Sequence, residues 1–396
     1  MTLTHILGRP GFFARTFILS GVSELQARAH ALHEKAFPVR LDASEAKILF
    51  IQLGQIGDYA LSEPFLKALK SFPGKVVRIT ALIDPVNYEL CKAGGAADEM
   101  VLYGARKYTR GRPSGFPAAL LDEHKFDCAV WLRGDLKVLF WLIRKGVRFV
   151  SVAKYPIPLR RACFALISKR PAGKEYPHFT ECLERLLKEL FPGARMRAQE
   201  RLQDVRHSDK RIYIHIGSGN RLRRWPEERF AELCRMLLES DRALKICLLG
   251  SEADRKDAGA ILGDKRLLSY AERIEDLSGR VGLPELKRVL SNGALFIGFD
   301  SGPMHIAASS GISVVALMGP QSPMVFGPRG TGNTRVVYKA PFCSPCWQFS
   351  CIRNDGGAGE CVLAITPGEV FRAAVSLLQK AQPAEKGGTH ENAPCL

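Results

Sequence analysis

The sequence has no uninterrupted apolar run of about eighteen residues, the length a membrane-spanning helix needs. Its nearest approach, 128–143, is broken by Arg133, Asp135 and Lys137, so no spanning helix is expected. Near the N-terminus Arg9 and Arg15 flank Phe12, Phe13, Phe17, Ile18 and Leu19, but no adequate apolar stretch with a small-residue cleavage site follows. That segment is expected to stay uncleaved. A nicotinamide-dependent oxidoreductase would show G-x-G-x-x-G after a strand and an acidic residue some twenty positions on. The first glycine turn here reads Gly54-Gln55-Ile56-Gly57-Asp58 instead, which disfavours that class. No repeat at solenoid periods is evident, and no nucleic-acid-binding module accompanies the basic charge, so nucleic acid is not an expected partner.

Charge and cysteine are abundant. The 396 residues carry 57 Lys and Arg against 40 Asp and Glu, a net charge of +17, which points to a phosphate- or carboxylate-bearing substrate or surface. With 46% hydrophobic residues the chain has room for two cores. Eleven cysteines without a secretory signal suggest a reducing, cytoplasmic setting.

Hydrophobic patterning predicts an α/β chain of two doubly wound domains. Residues 1–46 form an N-terminal extension with a helix-compatible segment at 22–37. A strand at 48–53, a glycine turn and an amphipathic helix through Leu61, Phe65, Leu66 and Leu69 open the first domain, followed by strands at 76–83, 99–103 and 126–132. Periodicity fades across 191–211, the expected linker. A second alternation starts with a strand at 211–216, a helix at 227–238 and a strand at 244–249. It continues with helices at 253–262 and 284–290, a strand at 294–299, a helix at 303–310 and a strand at 314–318. The expected units are 47–205 and 206–380, with a disordered tail at 381–396. Open sheets of this kind bind ligands at the carboxyl ends of their strands.

Four strand ends carry candidate chemistry. Gly298-Phe299-Asp300-Ser301-Gly302-Pro303-Met304-His305 joins a buried strand to a helix, whose free amides and dipole suit a phosphate that Gly302 lets approach. An ordinary capped turn is the plainer alternative. After the strand at 211–216 comes Gly217-Ser218-Gly219, then Arg221, Arg223 and Arg224, then Trp225-Pro226; arginine there can grip a diphosphate in forked geometry, or simply face solvent. Glu252, in Gly250-Ser251-Glu252, can accept hydrogen bonds from sugar hydroxyls. Asp58 follows Gly57, a residue free to take a left-handed turn, and sits where it can take a proton from a hydroxyl or cap a helix beginning near Tyr59.

These pieces in this order, with RRWPEERF, DLSGRVGLPEL and FIGFDSGPMHIAASSGISVVALMGP, resemble glycosyltransferase family 9, the heptosyltransferases of lipopolysaccharide assembly, over about 47–378. The resemblance implies a GT-B fold, an acceptor-binding first domain, a nucleotide-sugar-binding second domain, and inverting transfer without a required metal. It places the general base on Asp58, a phosphate-binding cation on Arg223, a ribose or sugar contact on Glu252, and the donor loop on Asp300, Ser301, Gly302 and His305, with Ser218 beside them. The family often has arginine where Gln52 stands and lysine where Arg223 stands. The implied donor is ADP-heptose and the implied acceptor an anionic lipopolysaccharide precursor. Another nucleotide sugar, or a non-catalytic glycolipid-binding member, is the alternative.

The segment 144–170 carries Arg144, Lys145, Arg148, Lys154, Arg160, Arg161, Lys169 and Arg170 with no acidic residue. With Gly57, the arginines Arg144, Arg148, Arg160 and Arg161 are expected on the acceptor side, at the surface of the inner membrane to which the protein would be peripherally bound. A solvated face is the alternative. Cys343, Cys346, Cys351 and Cys361 could hold a structural zinc ion or remain free thiols.

Overall fold

A computed structural model of the chain describes residues 41, 44–104, 115–152, 177–196, 210–219, 223–346, 351, 353 and 356–380. The extension's 22–37 segment, most of the expected linker and the tail lie outside the described residues. Leu41, at the end of the extension, is buried in the first core.

The first sheet opens with β1 (Glu45–Gln52), α1 (Ile56–Lys70), β2 (Val76–Ile83) and β3 (Glu99–Leu102). It continues with β4 (Cys128–Arg133), α2 (Leu136–Arg144) and β5 (Phe149–Ser151), and α3 (Phe179–Leu190) follows. Its five strands run parallel in the order β3-β2-β1-β4-β5. The apolar run of β1 shows why: Ile48 and Phe50 enter one core with Phe65, Leu66 and Leu69 of α1 and Leu183 and Leu187 of α3. Alternate residues Leu49 and Ile51 enter the other, with Val138, Leu139, Trp141 and Leu142 of α2. A strand buried on both faces needs helices on both sides.

The second sheet repeats the plan with β6 (Arg211–His215), α4 (Glu227–Ser240), β7 (Lys245–Leu249), β8 (Ile274–Asp276) and α5 (Leu283–Ser291). Then come β9 (Leu295–Phe299), α6 (Gly302–Ser310), β10 (Ser313–Met318), β11 (Thr334–Tyr338) and α7 (Pro367–Lys380). The order is β11-β10-β9-β6-β7-β8, again all parallel. Ile212 and Ile214 face α4 and α7, while Tyr213 faces α5 and α6. Most expected strands and helices fall within two residues of those observed. The short strands β5, β8 and β11 and helices α2, α3 and α7 were not anticipated, because their patterns are brief or lie in basic or loop-like sequence. Among the described residues, no helix is long and apolar enough to cross a membrane.

Among the described residues the halves touch in several places. Ala60 of α1 joins the apolar cluster of the second sheet, and Phe326 packs on Phe179 with ring centroids 5.9 Å apart. Beside that second contact, His178 Nε2 lies 3.0 Å from the Gly327 carbonyl oxygen. Burial holds His178 and His215 down to about 4, well under the ordinary imidazole value. Both are neutral in the folded chain at pH 7, so their contribution to stability is complete above the unfolded value near 6.5 and declines as pH falls toward the folded value. Acidification from pH 7 to 5 should therefore lower the unfolding free energy read from urea titrations, by up to about 1.4 kcal/mol per pH unit for each histidine. His178→Gln should flatten that slope; an unchanged slope would remove His178 from the explanation.

Candidate active site

Each sheet has one point where strand order reverses, between β1 and β4 in the first and between β6 and β9 in the second. Ligands of open parallel sheets bind at such points. The candidate residues gather there.

At the first, the turn after β1 leads into α1, whose N-cap is Gln55 rather than Asp58. Asp58 is the third helical residue, and its Oδ2 accepts from the Gln55 amide at 3.0 Å in a capping box. The helix thus starts at Ile56, earlier than expected, because this pairing satisfies its first amides. The other oxygen, Oδ1, receives Arg133 from the end of β4, with Nε at 3.2 Å and Nη2 at 3.1 Å. Arg133 belongs to no sequence motif; only the pairing of β4 with β1 brings it here. The loop is held from behind by buried Gln52, whose Oε1 accepts from Gly54 N at 3.1 Å and whose Nε2 reaches the Asp58 carbonyl and Ser62 Oγ. Asn87 Nδ2 adds a bond to the Gly54 carbonyl at 2.8 Å. Gln52 therefore anchors the turn, and the guanidinium at this site comes from Arg133.

At the second, Ser301 is the N-cap of α6 but turns its hydroxyl back to the Phe299 carbonyl, 3.1 Å away, leaving the helix start without a side-chain cap. Its first amides are thus available to an anion. Asp300 is buried, with Arg223 Nη1 3.1 Å from its Oδ2 and His305 Nε2 3.7 Å from its Oδ1. Burial pushes the Asp300 carboxyl up, but the Arg223 charge and His305 more than offset this and hold it below its ordinary value. Arg223 Nε and His305 Nδ1 are buried without hydrogen-bond partners.

Arg224 turns away from the cleft to the Ser218 carbonyl, Asp254 and Asp257 at 3.0, 2.9 and 3.0 Å, making it part of the scaffold under buried Ser218. Arg221 lies outside the described residues. Glu252 stands at the rim beyond β7, its side chain 70% exposed and 3.1 Å from Arg255.

The two points meet across bare backbone. A Cβ on Gly302 would lie 2.3 Å from Ile56 Cγ2 and 3.3 Å from the Gly57 amide, and one on Gly57 would lie 3.0 Å from His305 Cδ2. Gly57 is helical, within α1, so its role is this close approach rather than the left-handed turn expected of it. The starts of α1 and α6 thus converge, bringing the Asp58–Arg133 pair and the Asp300–Arg223–His305 group to neighbouring strand ends.

Some expected site residues lie elsewhere. A helix that follows a parallel strand runs back along the sheet, so Arg144, at the end of α2, and Arg148, just before β5, sit at the edge opposite Asp58. They therefore do not stand beside Asp58. Arg160 and Arg161 lie outside the described residues. The four tail cysteines share a neighbourhood, where burial and the other three thiols push Cys361 up to about 12. Yet no three His, Cys, Asp or Glu among the described residues are arranged to hold a metal ion. Cys351 instead accepts from the Gly359 amide, and Cys361 packs under Gly319. The zinc expectation finds no assembled site.

Arg223→Ala would leave Asp300 buried without its guanidinium partner and with only His305 beside its carboxylate, so it should lower stability by about 3 to 5 kcal/mol. Because the pair depresses Asp300, its contribution is complete above the unfolded carboxylate range and is lost as pH falls through the folded value. The variant should differ most from the parent near neutral pH in urea titrations. Equal urea midpoints at pH 7 would show that the pair contributes nothing, and Arg223→Lys, which keeps the charge, is the cleaner probe of anion binding.

Two facing parallel sheets with anion-receptive strand ends define a two-domain GT-B fold. The sequence model of glycosyltransferase family 9 (heptosyltransferase) matches residues 170–355, a little under half of the 396-residue chain. It is 27% identical over 140 residues to lipopolysaccharide heptosyltransferase 1 of Pseudomonas aeruginosa, covering 35% of this chain and 37% of that protein. It is 31% identical over 115 residues to lipopolysaccharide heptosyltransferase 2 of Escherichia coli, covering 29% and 32%. The alignments thus span about a third of those relatives' lengths. The solved structure of E. coli ADP-heptose lipopolysaccharide heptosyltransferase II shares the fold, with a TM-score of 0.59 at 19% identity over 84% of this chain and 99% of that one.

Proposed function

We propose that the chain is an inverting glycosyltransferase that moves heptose from ADP-heptose to the core of an anionic lipopolysaccharide precursor. The observation that carries this reading is the contact of the Asp58–Arg133 pair's helix with the uncapped start of α6 across Gly57 and Gly302. The names of the matched relatives support the sugar and the acceptor class. In this reading 47–205 is the acceptor half and 206–380 the donor half.

The acceptor hydroxyl oxygen attacks the anomeric carbon as its proton passes to Asp58. The bond to the diphosphate breaks on the opposite face, and its electron pair leaves with the nucleoside diphosphate. Arg133 orients the base. Negative charge growing on the leaving group meets Arg223, His305 and the first amides of α6, which are in place before the reaction. Glu252 and Ser218 would border the sugar or ribose. This arrangement supplies the positive charge from protein groups, so transfer is expected to persist in chelator.

The test is transfer by purified full-length protein from a panel of nucleotide sugars, ADP-heptose included, to a heptose-deficient core acceptor, with and without EDTA. Transfer confined to another sugar would replace the donor assignment. Binding of the acceptor with no transfer from any donor would favour a non-catalytic glycolipid-binding protein.

A further inference from the structure

Helix α2 is apolar on both sides. Val138, Leu139, Trp141 and Leu142 are buried against the sheet, yet Leu136, Phe140 and Ile143 are 42%, 65% and 51% exposed. Their spacing of four and three residues makes one outward stripe along a helix about 13 Å long. A packed domain gains nothing by turning phenylalanine and isoleucine to water, and a contiguous stripe of this kind marks a contact surface.

The flanking charge says what kind. Lys137 and Arg144 lie exposed beside the stripe, and Lys145 and Arg148 follow. Neither α2 nor the sequence from it to Arg170 contains an acidic residue. The nearest carboxylates are engaged: Asp122 with Lys145 at 2.9 Å and Trp141 Nε1 at 2.9 Å, and Asp135 with Tyr103 and the Val138 amide. Glu123 is exposed on the neighbouring short helix, whose Leu120 is also 54% exposed.

We propose that α2 is a membrane-docking helix: its Leu136, Phe140 and Ile143 stripe enters the interface of an anionic bilayer while Lys137, Arg144 and the cations beyond bind lipid headgroups. The helix starts three residues after Arg133, which holds Asp58, and runs back along the domain. Docking by this face therefore places the mouth of the cleft beside the lipid surface. The inference uses the proposed lipid-linked acceptor only as its purpose and does not depend on which sugar is moved.

The experiment is sedimentation of the full-length protein with vesicles of phosphatidylcholine alone and of equal parts phosphatidylcholine and phosphatidylglycerol. Calorimetric ADP binding and oligomeric state are measured in parallel. The parent should bind the anionic vesicles, in a salt-weakened manner, and leave the neutral ones. Phe140→Ser with Ile143→Ser should weaken that binding by about tenfold or more without changing ADP affinity. Phe140→Leu with Ile143→Leu should restore it, which separates surface apolarity from folding. Undiminished vesicle binding by the serine pair would overturn the proposal. So would failure of the leucine pair to bind, or dissociation of a parent dimer by the serine pair, which would make the stripe a self-association surface. Because ADP binding is read separately, loss of docking and failure of the transferase reading give different patterns.

Discussion

Replacing Asp58 by asparagine should lower kcat/KM for transfer by about 10²- to 10⁴-fold, the range general-base catalysis contributes, while ADP affinity stays within about twofold. The amide cannot take the acceptor proton. It also cannot accept from both the Gln55 amide and Arg133, the two donors that now hold the carboxylate, so a small loss of stability from the weakened cap should accompany the change. The proposed donor contacts sit on the other sheet, around Arg223 and the start of α6, and are left in place. The measurement is steady-state transfer beside calorimetric ADP binding. Affinity that falls in step with kcat/KM would contradict this division of labour. Arg133→Gln provides the companion result: if Arg133 positions the base, kcat should fall while KM for donor moves little.

The second large effect concerns no chemical group at all. Gly302→Ala places a methyl group 2.3 Å from Ile56 Cγ2 and close to the Gly57 backbone, where no side chain fits without moving one half relative to the other. Displacement by about 1 Å between base and donor site can cost roughly a hundredfold in rate. We therefore expect kcat to fall by about that factor, with each half still folded and ADP binding reduced only modestly. Adding Ile56→Ala removes the nearer obstacle and should recover part of the loss. A Gly302→Ala enzyme with parental kcat would mean that the close contact of α1 and α6 is not the reacting geometry.

Much of this architecture was legible beforehand. Ile48 to Ile51 and Phe296 to Phe299 read as buried strands because continuous apolar residues bounded by glycine have few other homes, and two doubly wound domains followed from two such alternations, the GT-B arrangement being what the family resemblance implied. The candidate donor residues Asp300, Ser301, Gly302 and His305 were visible for the same reason: a strand, a glycine turn and a helix start announce themselves locally. Helix α2 was less legible, because an apolar segment with scattered charges reads equally as a broken strand or a loop. The position of Arg144 and Arg148 was not legible, because charge composition carries no direction, whereas the path of α2 carries them to the edge away from Asp58.

By itself, then, the sequence determined the strands and helices, the glycine turns at the strand ends, the excess of positive charge and the absence of a spanning helix, all properties of neighbouring residues. Tertiary structure alone decided that β4 lies beside β1 and so delivers Arg133 to Asp58 from 75 positions away, that Arg223 closes on Asp300 across 77, and that Gly57 meets Gly302. Those pairings come from burying both faces of two parallel sheets at once, and such long-range packing leaves no periodic trace in the chain.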